Sequence, residues 1–500
     1  MVFPAVDSSL AEPRTLSTDQ RWLVGLLLVA VLVRLATLAA YPLMDNTEAR
    51  YAEVARKMLE TADWVTPHHR YGVAFWSKPP LSIWLTAISY IVFGVNEFAA
   101  RLASLLPCLG VAWIAYDLAL SRDGRDAALR TAVVLLTTPL FFISAGAVMT
   151  DPALIFGTTL SMAGFWHAMT REDRSGRVWG YAFFLGLAIG LLAKGPVGVV
   201  LTLVPVGIWT LWKGGVGRVW KRLPWVSGII LTALLAVPWY LLAESRTPGF
   251  LDYFIIGEHW KRYTVSGWQG DMFGSAHAHP RGTIWLYALV STLPWCVAWA
   301  VLAWRLRRKD APRLVRAAND WHAYLWLWLL AAPMFFTPAG NILPTYVLPS
   351  LPAFALLVGE AWSRVVQAGR EPAATRYNAL VMPVVMVLAV LFALPRIAPA
   401  YSHKALVAEY LSRRQGPAQE LVYLGAPPLS AEFYASGKIR SVASATELDA
   451  LVRAGKSDFF VLTDAQLAAT PVWRDLLAPI ARSGRYQLLQ PIAPAASRAP

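Results

Sequence analysis

The apolar residues of this chain stand in long continuous blocks, and this feature most constrains its fold. Eleven blocks have about the 17–25 residues of a membrane-spanning helix. They lie near 22–41, 102–120, 130–149, 152–170, 178–194, 196–212, 224–243, 283–304, 321–338, 344–363 and 378–396. Only 15% of the residues are charged, against about a quarter in soluble domains. We therefore predict a polytopic, all-α membrane protein.

The net charge of +14 does not indicate a nucleic-acid-binding protein. The Lys and Arg residues lie in short clusters between the apolar blocks, as in SRDGRDAALR, REDRSGR and RLRRKDAPRLVR. Loops almost without charge, such as MTDP and TPAGNILP, alternate with them. This alternation is how a membrane protein fixes its orientation, with the basic loops in the cytoplasm.

One short apolar block, 79–95, decides the topology, and it opens with Pro79 and Pro80. If it does not cross the membrane, every basic loop falls on the cytoplasmic side together with the N-terminus. We therefore expect it to lie on or partly in the periplasmic surface. About eleven to thirteen spans result, and the C-terminus is outside.

This topology predicts three parts. They are a cytoplasmic N-terminal tail (1–21), a transmembrane domain (22–400) with periplasmic loops at 42–101 and 244–283, and a periplasmic domain (401–500). The last part alternates strand-like runs (ELVYLG, IRSVAS, DFFVLTD, RYQLLQ) with helix-like runs (ATELDALVRAG, VWRDLLAPIA), which predicts a small α/β domain. The first apolar block starts too late and is too long for a signal peptide, so we expect it to be retained.

The first periplasmic loop begins with the acidic segment MDNTEARYAE, in which Asp45 precedes Glu48 by three residues. This spacing resembles a capping box, so Asp45 caps a helix or faces a substrate, and the spacing alone does not separate the two. The following helix carries Arg50 and Arg56 beside apolar residues and looks interfacial. On composition, its basic residues contact lipid headgroups.

Lys78 and Tyr346 stand in aromatic and proline-rich segments at predicted span ends. A lysine in FWSKPPL is a candidate phosphate anchor, because its ammonium donates to phosphate oxygens and low polarity strengthens the contact. A lysine that reaches to the interface is the plainer reading. Tyr346 is either an ordinary interfacial tyrosine or a hydrogen-bond donor to phosphate.

Further candidates come from charge at or within the spans. Asp151 precedes Pro152 as an ordinary helix start, yet it falls on the same side as Asp45. Arg34 lies within the first span, where an arginine is costly and points to function unless it reaches the headgroups. Glu258 and His259 are adjacent in the loop 244–283 and are too few for a metal site. The two cysteines imply neither a disulfide framework nor a metal motif.

Taken together, these segments resemble a known family. DNTEARYAEVARKML, FWSKPPLSIWL, MTDPALI, LLAKGPVG and LPTYVLPSLP occur in the order found in the aminoarabinose transferase (ArnT-like) and protein-mannosyltransferase-like branch of the C-type glycosyltransferases. Each motif is weak alone, and the ordered set is fairly specific. The resemblance implies an undecaprenyl-phosphate-linked sugar donor that is used on the periplasmic face.

The resemblance also implies residue roles. Asp45 and Asp151 match the acidic residues that such enzymes need, and Lys78 and Tyr346 match residues at the lipid phosphate, with Arg56 assisting. His259 falls where relatives have a loop histidine near a metal. Ser77 stands where some relatives have an acidic residue, so no metal is predicted as required. Possible supporting residues follow from position: Glu48, Arg50, Arg34 and Glu258.

The sequence thus predicts a monomeric inner-membrane glycosyltransferase that moves a sugar, such as 4-amino-4-deoxy-L-arabinose, from undecaprenyl phosphate to an envelope acceptor such as lipid A. No cofactor is required. Another sugar, or a protein or glycan acceptor, fits the same motifs. A flippase for lipid-linked sugars would carry ionisable groups at mid-membrane, and a non-catalytic sensor would not need Asp45, Lys78 or Asp151.

Overall fold

The computed structural model describes residues 16–213, 215–274, 276–316, 320–454 and 458–492. Most of the predicted N-terminal tail and the last residues of the chain lie outside these ranges. The helices of the membrane part are α1 (Thr18–Thr37), α2 (Thr47–Thr61), α3 (Leu81–Phe93), α4 (Glu97–Thr137), α5 (Pro139–Ser144), α6 (Asp151–Thr170), α7 (Arg174–Lys194), α8 (Pro196–Trp212), α9 (Val216–Arg222), α10 (Trp225–Arg246), α11 (Arg262–Thr264), α12 (Thr283–Thr292), α13 (Trp295–Arg316), α14 (Asp320–Phe336), α15 (Leu351–Gln367), α16 (Ala373–Leu388) and α17 (Leu394–Tyr401).

Within the described residues, five helical stretches are long and apolar enough to cross a membrane. They are α1, α4, α7, α10 and the stretch 374–401. A sixth candidate is the pair α12 and α13, which is bent by 81° at its break. The other predicted blocks form shorter or less apolar helices, so the chain is a multi-pass membrane protein whose predicted number of spans stays a prediction.

Several predicted spans are not single helices, and two of them bear on the site. The block 130–149 is broken after Thr137 and again after Ser144, because Pro139 disfavours α-helical geometry at Thr138. The block 344–363 begins with a 3-10 segment, Pro344–Ser350, before α15. Both breaks fall near the predicted outer ends of helices and supply irregular backbone there.

Glycines bring α6 and α7 into very close contact. A Cβ atom on Gly157 would lie 2.8 Å from the backbone oxygen of Gly186, and one on Gly186 would lie 2.4 Å from the oxygen of Gly157. Only small residues permit this approach of two helix backbones. The contact fixes Asp151, at the start of α6, beside Lys194, at the end of α7.

The first loop contains α2, the hairpin β1 (His68–Arg70) and β2 (Val73–Ala74), and α3. Helix α3 has 13 residues and is too short to be a candidate span, in line with the prediction for 79–95. The predicted capping box at Asp45 is wrong. Asn46 is the N-cap of α2, and no side chain caps that end.

The C-terminal domain contains α18 (Lys404–Arg413), β3 (Leu421–Leu424), α19 (Leu429–Tyr434), β4 (Arg440–Val442), α20 (Ala445–Arg453), β5 (Phe459–Thr463), α21 (Asp464–Ala469), α22 (Trp473–Leu476), β6 (Leu477–Ser483) and β7 (Tyr486–Pro491). The sheet order is β4-β3-β5-β7-β6. The first three strands are parallel, and β7 and β6 join them antiparallel. The predicted small α/β domain is present.

The helix predicted for VWRDLLAPIA is wrong for most of its length. Helix α22 ends at Leu476, and β6 starts at Leu477. Pro479 cannot continue an α-helix, yet an edge strand tolerates it, and the register shifts between Pro479 and Ala481. Pairing with β7 therefore outweighs the local helical pattern.

Candidate active site

One large cavity lies where the ends of several helices meet. It encloses about 460 Å³ and is bordered by the start of α6, the end of α7, the start of α8, the π-helical segment Asp252–Lys261, and the 3-10 segment Pro344–Ser350. Its charged and polar lining residues are Lys78, Asp151, Lys194, Glu258, His259, Arg262, Asn341, Thr345 and Tyr346. Five predicted candidates therefore come together here: Lys78, Asp151, Glu258, His259 and Tyr346.

Two cations share one carboxylate at the loop side of the cavity. Lys78 Nζ donates to Glu258 Oε2 at 2.9 Å, and Arg262 Nη1 lies 3.1 Å from the same oxygen. Burial opposes ionisation of Glu258, but Lys78 and Arg262 outweigh it, so the pKa of this carboxyl lies below its usual range. Arg262 also binds Asp271 at 3.0 Å. The Nε of Arg262 is buried and has no partner among the described residues.

A second ion pair lies at the helix side. Lys194 Nζ donates to Asp151 Oδ1 at 2.6 Å, and it lies 4.8 Å from the centre of the Tyr346 ring. The Tyr346 ring packs against Phe336 at 4.5 Å between ring centres. The cavity therefore presents three cations, two lining carboxylates and one phenol at one end.

The rest of the cavity wall is apolar. It is formed by residues of α6, α8, the π-helical segment, α11 and the end of α14, which are Leu154, Val197, Val200, Leu201, Ile255, Ile256, the ring of Tyr263, and Phe335. A charged end next to a long apolar wall suits an amphiphile with an anionic head and a hydrocarbon tail.

Both ring nitrogens of His259 lie close to backbone carbonyl oxygens, and a neutral imidazole donates its one N–H to one of them. Its Nδ1 lies 2.8 Å from the Phe254 carbonyl oxygen, and its Nε2 lies 3.1 Å from the Lys194 carbonyl oxygen. Burial lowers the pKa of this imidazole. Within the described part of the chain, no group of three or more His, Cys, Asp or Glu side chains is arranged to hold a metal. His259 therefore contacts the end of α7 from the loop, and its role toward a metal stays a prediction.

Asp45 does not line the cavity. Its carboxylate accepts hydrogen bonds from both the backbone N–H (3.0 Å) and the hydroxyl of Ser430 in the C-terminal domain. Its own N–H donates to the Tyr401 carbonyl at 2.8 Å. Burial raises the pKa of Asp45 above its usual range, although the Ser430 hydrogen bonds oppose the shift.

Four further predicted residues also lie away from the cavity. Arg56 binds Glu53 and Glu60, each at 2.7 Å, and does not line the cavity, so the phosphate contact predicted for it stays a prediction. Glu48 pairs with Arg101 at 2.9 Å. Arg34 contacts Thr37, Tyr41, the Ile143 carbonyl and Met386 between the helices, and Arg50 contacts the Asn46 carbonyl.

Sequence reasoning missed two cations of the site. Arg262 stands in GEHWKRY, where a helical turn separates it from Glu258, and the i,i+4 spacing was the available signal. Lys194 ends an apolar helix before Gly195 and Pro196, which looks like a simple turn. Lys194 meets Asp151 because the glycine contact brings α6 and α7 together, and the sequence alone does not indicate that contact.

The whole fold matches solved membrane enzymes. The crystal structure of ArnT from Cupriavidus metallidurans bound to undecaprenyl phosphate superposes with a TM-score of 0.74 over 95% of this chain and 98% of that one, at 23% identity. Its apo state gives the same TM-score at 22% identity. The chain therefore has the C-type glycosyltransferase fold.

Sequence comparisons give the family. The family model described as dolichyl-phosphate-mannose-protein mannosyltransferase matches residues 24–254. The undecaprenyl phosphate-alpha-4-amino-4-deoxy-L-arabinose arabinosyl transferase 1 of Pseudomonas fluorescens (strain Pf0-1) is 32% identical over 349 residues, and its counterpart in Pseudomonas aeruginosa (strain PAO1) is 31% identical over 369. These alignments cover 68% and 71% of this chain. The chain belongs to the ArnT-like family of C-type glycosyltransferases, as the ordered motifs predicted.

The aligned region covers about three-fifths of each curated relative, 58% and 62% respectively. Similarity over this share of the relatives shows the family and does not by itself show the activity.

Proposed function

We propose that this protein transfers a sugar, of the 4-amino-4-deoxy-L-arabinose type, from undecaprenyl phosphate to an envelope acceptor such as lipid A. The observation that carries the proposal is the cavity in which Lys78, Lys194 and Arg262 meet an apolar wall. The names of the curated relatives and the lipid in the ArnT crystal structure supply the donor class.

The lipid phosphate fits the loop side of the cavity. The unpaired Nε of Arg262 is a buried donor, which costs free energy until an acceptor arrives. Lys78 carries three N–H donors and reaches Glu258 and Ser77 with them. A phosphate at this place takes over donors that Glu258 and Ser77 accept from in the free protein. The prenyl chain then lies along the apolar wall.

In the reaction, an acceptor oxygen attacks the anomeric carbon as the bond from that carbon to the phosphate oxygen breaks. The leaving polyprenyl phosphate gains negative charge, and fixed cations stabilise charge that develops in the transition state. Lys78 and Arg262 supply this stabilisation, while Asp151 holds Lys194 in place beside Tyr346.

Asp45 is proposed to act on the acceptor side, orienting its nucleophilic oxygen or accepting its proton. The helix that follows it, α2, reaches toward the cavity: burial raises the pKa of Tyr51 on α2 to about 12, and the charges of Arg50 and Lys194 act against this shift. A carboxyl group whose own pKa is raised is suited to a base role.

We also propose that the site faces the periplasm of a bacterial inner membrane. The basic loops at the far ends of α6 and α9 support this orientation by the positive-inside rule. The test introduces single cysteines into the loop 42–101 and labels them from outside intact cells. Labelling that occurs only after lysis would show the opposite topology.

The test of the activity is a transfer assay on purified full-length protein with undecaprenyl-phosphate sugars and lipid A. We expect transfer by the natural chain and a loss of roughly 100-fold or more in Lys78→Ala and Asp45→Asn. Lys213→Ala, a basic residue paired with Asp320 at a helix end that does not line the cavity, is the control. Full activity in both variants would remove the site assignment.

The flippase alternative makes a different prediction. The charged groups of the described cavity sit at helix ends, near Asp151 and Lys194, and not in the middle of a span. Movement of labelled donor across vesicles without any transfer product would favour the flippase.

A further inference from the structure

One residue of the C-terminal domain, Ser430, contacts both carboxylate oxygens of Asp45. Ser430 donates its backbone N–H to Oδ1 at 3.0 Å and its hydroxyl to Oδ2. Two donors from one residue fix the plane of the carboxylate as well as its position.

Ser430 is itself held. It is fully buried, and its Oγ accepts the backbone N–H of His403 at 3.1 Å. With this acceptor contact made, the hydroxyl proton points to Asp45. The chain from His403 through Ser430 to Asp45 leaves the carboxylate little rotational freedom.

The rest of α19 fastens the same loop. Glu432 Oε2 accepts from Lys57 Nζ at 2.6 Å, and Glu432 Oε1 lies 3.0 Å from Arg70 Nη1. The Tyr434 hydroxyl accepts the N–H of Leu43 at 2.7 Å, two residues before Asp45. The loop residues before and after Asp45 are therefore bound to α19 of the C-terminal domain.

We propose that Ser430 is a positioning residue for Asp45, so that the C-terminal domain completes the active site from outside the membrane part. This inference rests on the proposed function of Asp45. It gives the C-terminal domain a role in the reaction: the domain orients the carboxylate that serves the acceptor.

A hydroxyl donor also favours the ionised carboxylate, as the two Ser430 hydrogen bonds do against the effect of burial. The other groups that act on Asp45 are the backbone of Leu429, the guanidinium of Arg50 and, across the domain, the phenol of Tyr423. Removing the hydroxyl leaves burial less opposed, so the Asp45 pKa rises. The acid limb of the pH–activity profile moves to higher pH.

The experiment compares pH profiles of kcat/KM for full-length Ser430→Ala, Ser430→Thr and Ser444→Ala. Ser444 is the matched control, because its side chain caps α20 in the same domain by accepting the Glu447 N–H at 3.2 Å and does not touch Asp45. We expect the acid limb of Ser430→Ala to move up by roughly one pH unit, with activity recovering at high pH. Ser430→Thr keeps the hydroxyl and restores the natural profile.

An equal loss at every pH in Ser430→Ala and Ser444→Ala would show a structural effect only and overturn the inference. So would an unchanged profile in Ser430→Ala. Melting temperatures of the three variants identify any that fail to fold. If Ser430→Ala does, Ser430→Cys, whose thiol is a similar size but a weak donor, carries the test with the same expected shift. Asp45→Asn separates the two claims: if it is fully active the proposed function of Asp45 fails, whereas if it is inactive and Ser430→Ala is unshifted only the inference fails.

Discussion

The cavity and the interface between α2 and α19 both contain basic residues paired with glutamates, but the two sets of pairs differ in their surroundings. At the interface, Lys57 is fully buried between Glu53 and Glu432 and touches no open space. In the cavity, the side chains of Lys78 and Arg262 keep 17% and 14% of their surface exposed. They share Glu258 and border about 460 Å³ of empty volume.

The difference shows what each set of charges is for. A buried pair without room for water contributes a specific docking geometry, and it is costly to break. A pair that faces a cavity can exchange its partner for a ligand. The same residue types thus join two parts of the chain at the interface, whereas in the cavity they are placed to bind an anion.

The largest expected effect is at the interface. Glu432→Ala leaves Lys57 and Arg70 without their shared carboxylate, so we expect a loss of roughly 3–5 kcal/mol in the free energy of unfolding. The measurement is the unfolding transition in detergent, read by a tryptophan of the C-terminal domain such as Trp473. Glu60→Ala is the control, because this partner of Arg56 has a half-exposed side chain and should cost less than about 1 kcal/mol. Equal losses would mean that burial does not separate the two pairs.

The second effect separates activity from stability in the cavity. Replacing both members of the ion pair, in Asp151→Leu with Lys194→Met, leaves no unpaired charge and should change stability little. The same double variant should lose roughly 100-fold or more in sugar transfer, because a cation at the charged end is gone. Thermal unfolding and the transfer assay are run on one preparation. A large stability loss with normal transfer would mean that this cavity pair serves stability and not activity.

A smaller effect is expected for Arg262→Lys. The charge remains, but a lysine has no Nε donor in a planar fork. We expect the KM for the donor lipid to rise about tenfold, with kcat changed less. Lys261→Arg, one residue away on the same segment, is the control, since Lys261 does not line the cavity.

The smallest effect concerns pH. The pKa of Glu258 is lowered from 4.5 by Lys78 and Arg262 against the effect of burial. Its pairing therefore stabilises the fold above the unfolded-state pKa, and this contribution is lost as pH falls through the lower folded-state value. Melting temperatures of Glu258→Gln and the natural chain should differ at pH 6 and converge toward pH 3. A constant difference across this range would contradict the assignment.

Sequence periodicity and motif order predicted the membrane class, the family and the C-terminal α/β domain. They also chose Lys78, Asp151 and Tyr346, which the fold gathers at one cavity. They could not predict that Lys194 meets Asp151, because that contact depends on glycine packing between two helices. The helical period of VWRDLLAPIA was misleading, because strand pairing with β7 is a non-local interaction.

Asp45 shows a further limit of local reasoning. Its spacing from Glu48 predicts a cap, yet its partner is Ser430, 385 residues later in the chain. Arg56 is the opposite case, because its partners Glu53 and Glu60 lie three and four residues away on its own helix, a spacing visible in the sequence. The partner of Asp45 is decided by the assembled fold.

Close packing of α6 against α7 makes one wall of the cavity stiff. A helix pair in backbone contact at Gly157 and Gly186 cannot slide or spread without losing that contact. The π-helical segment Asp252–Lys261 forms another part of the wall and contacts the end of α7 through His259. A ligand in this cavity therefore meets at least one wall, the α6–α7 pair, whose position is fixed by contact between two helix backbones.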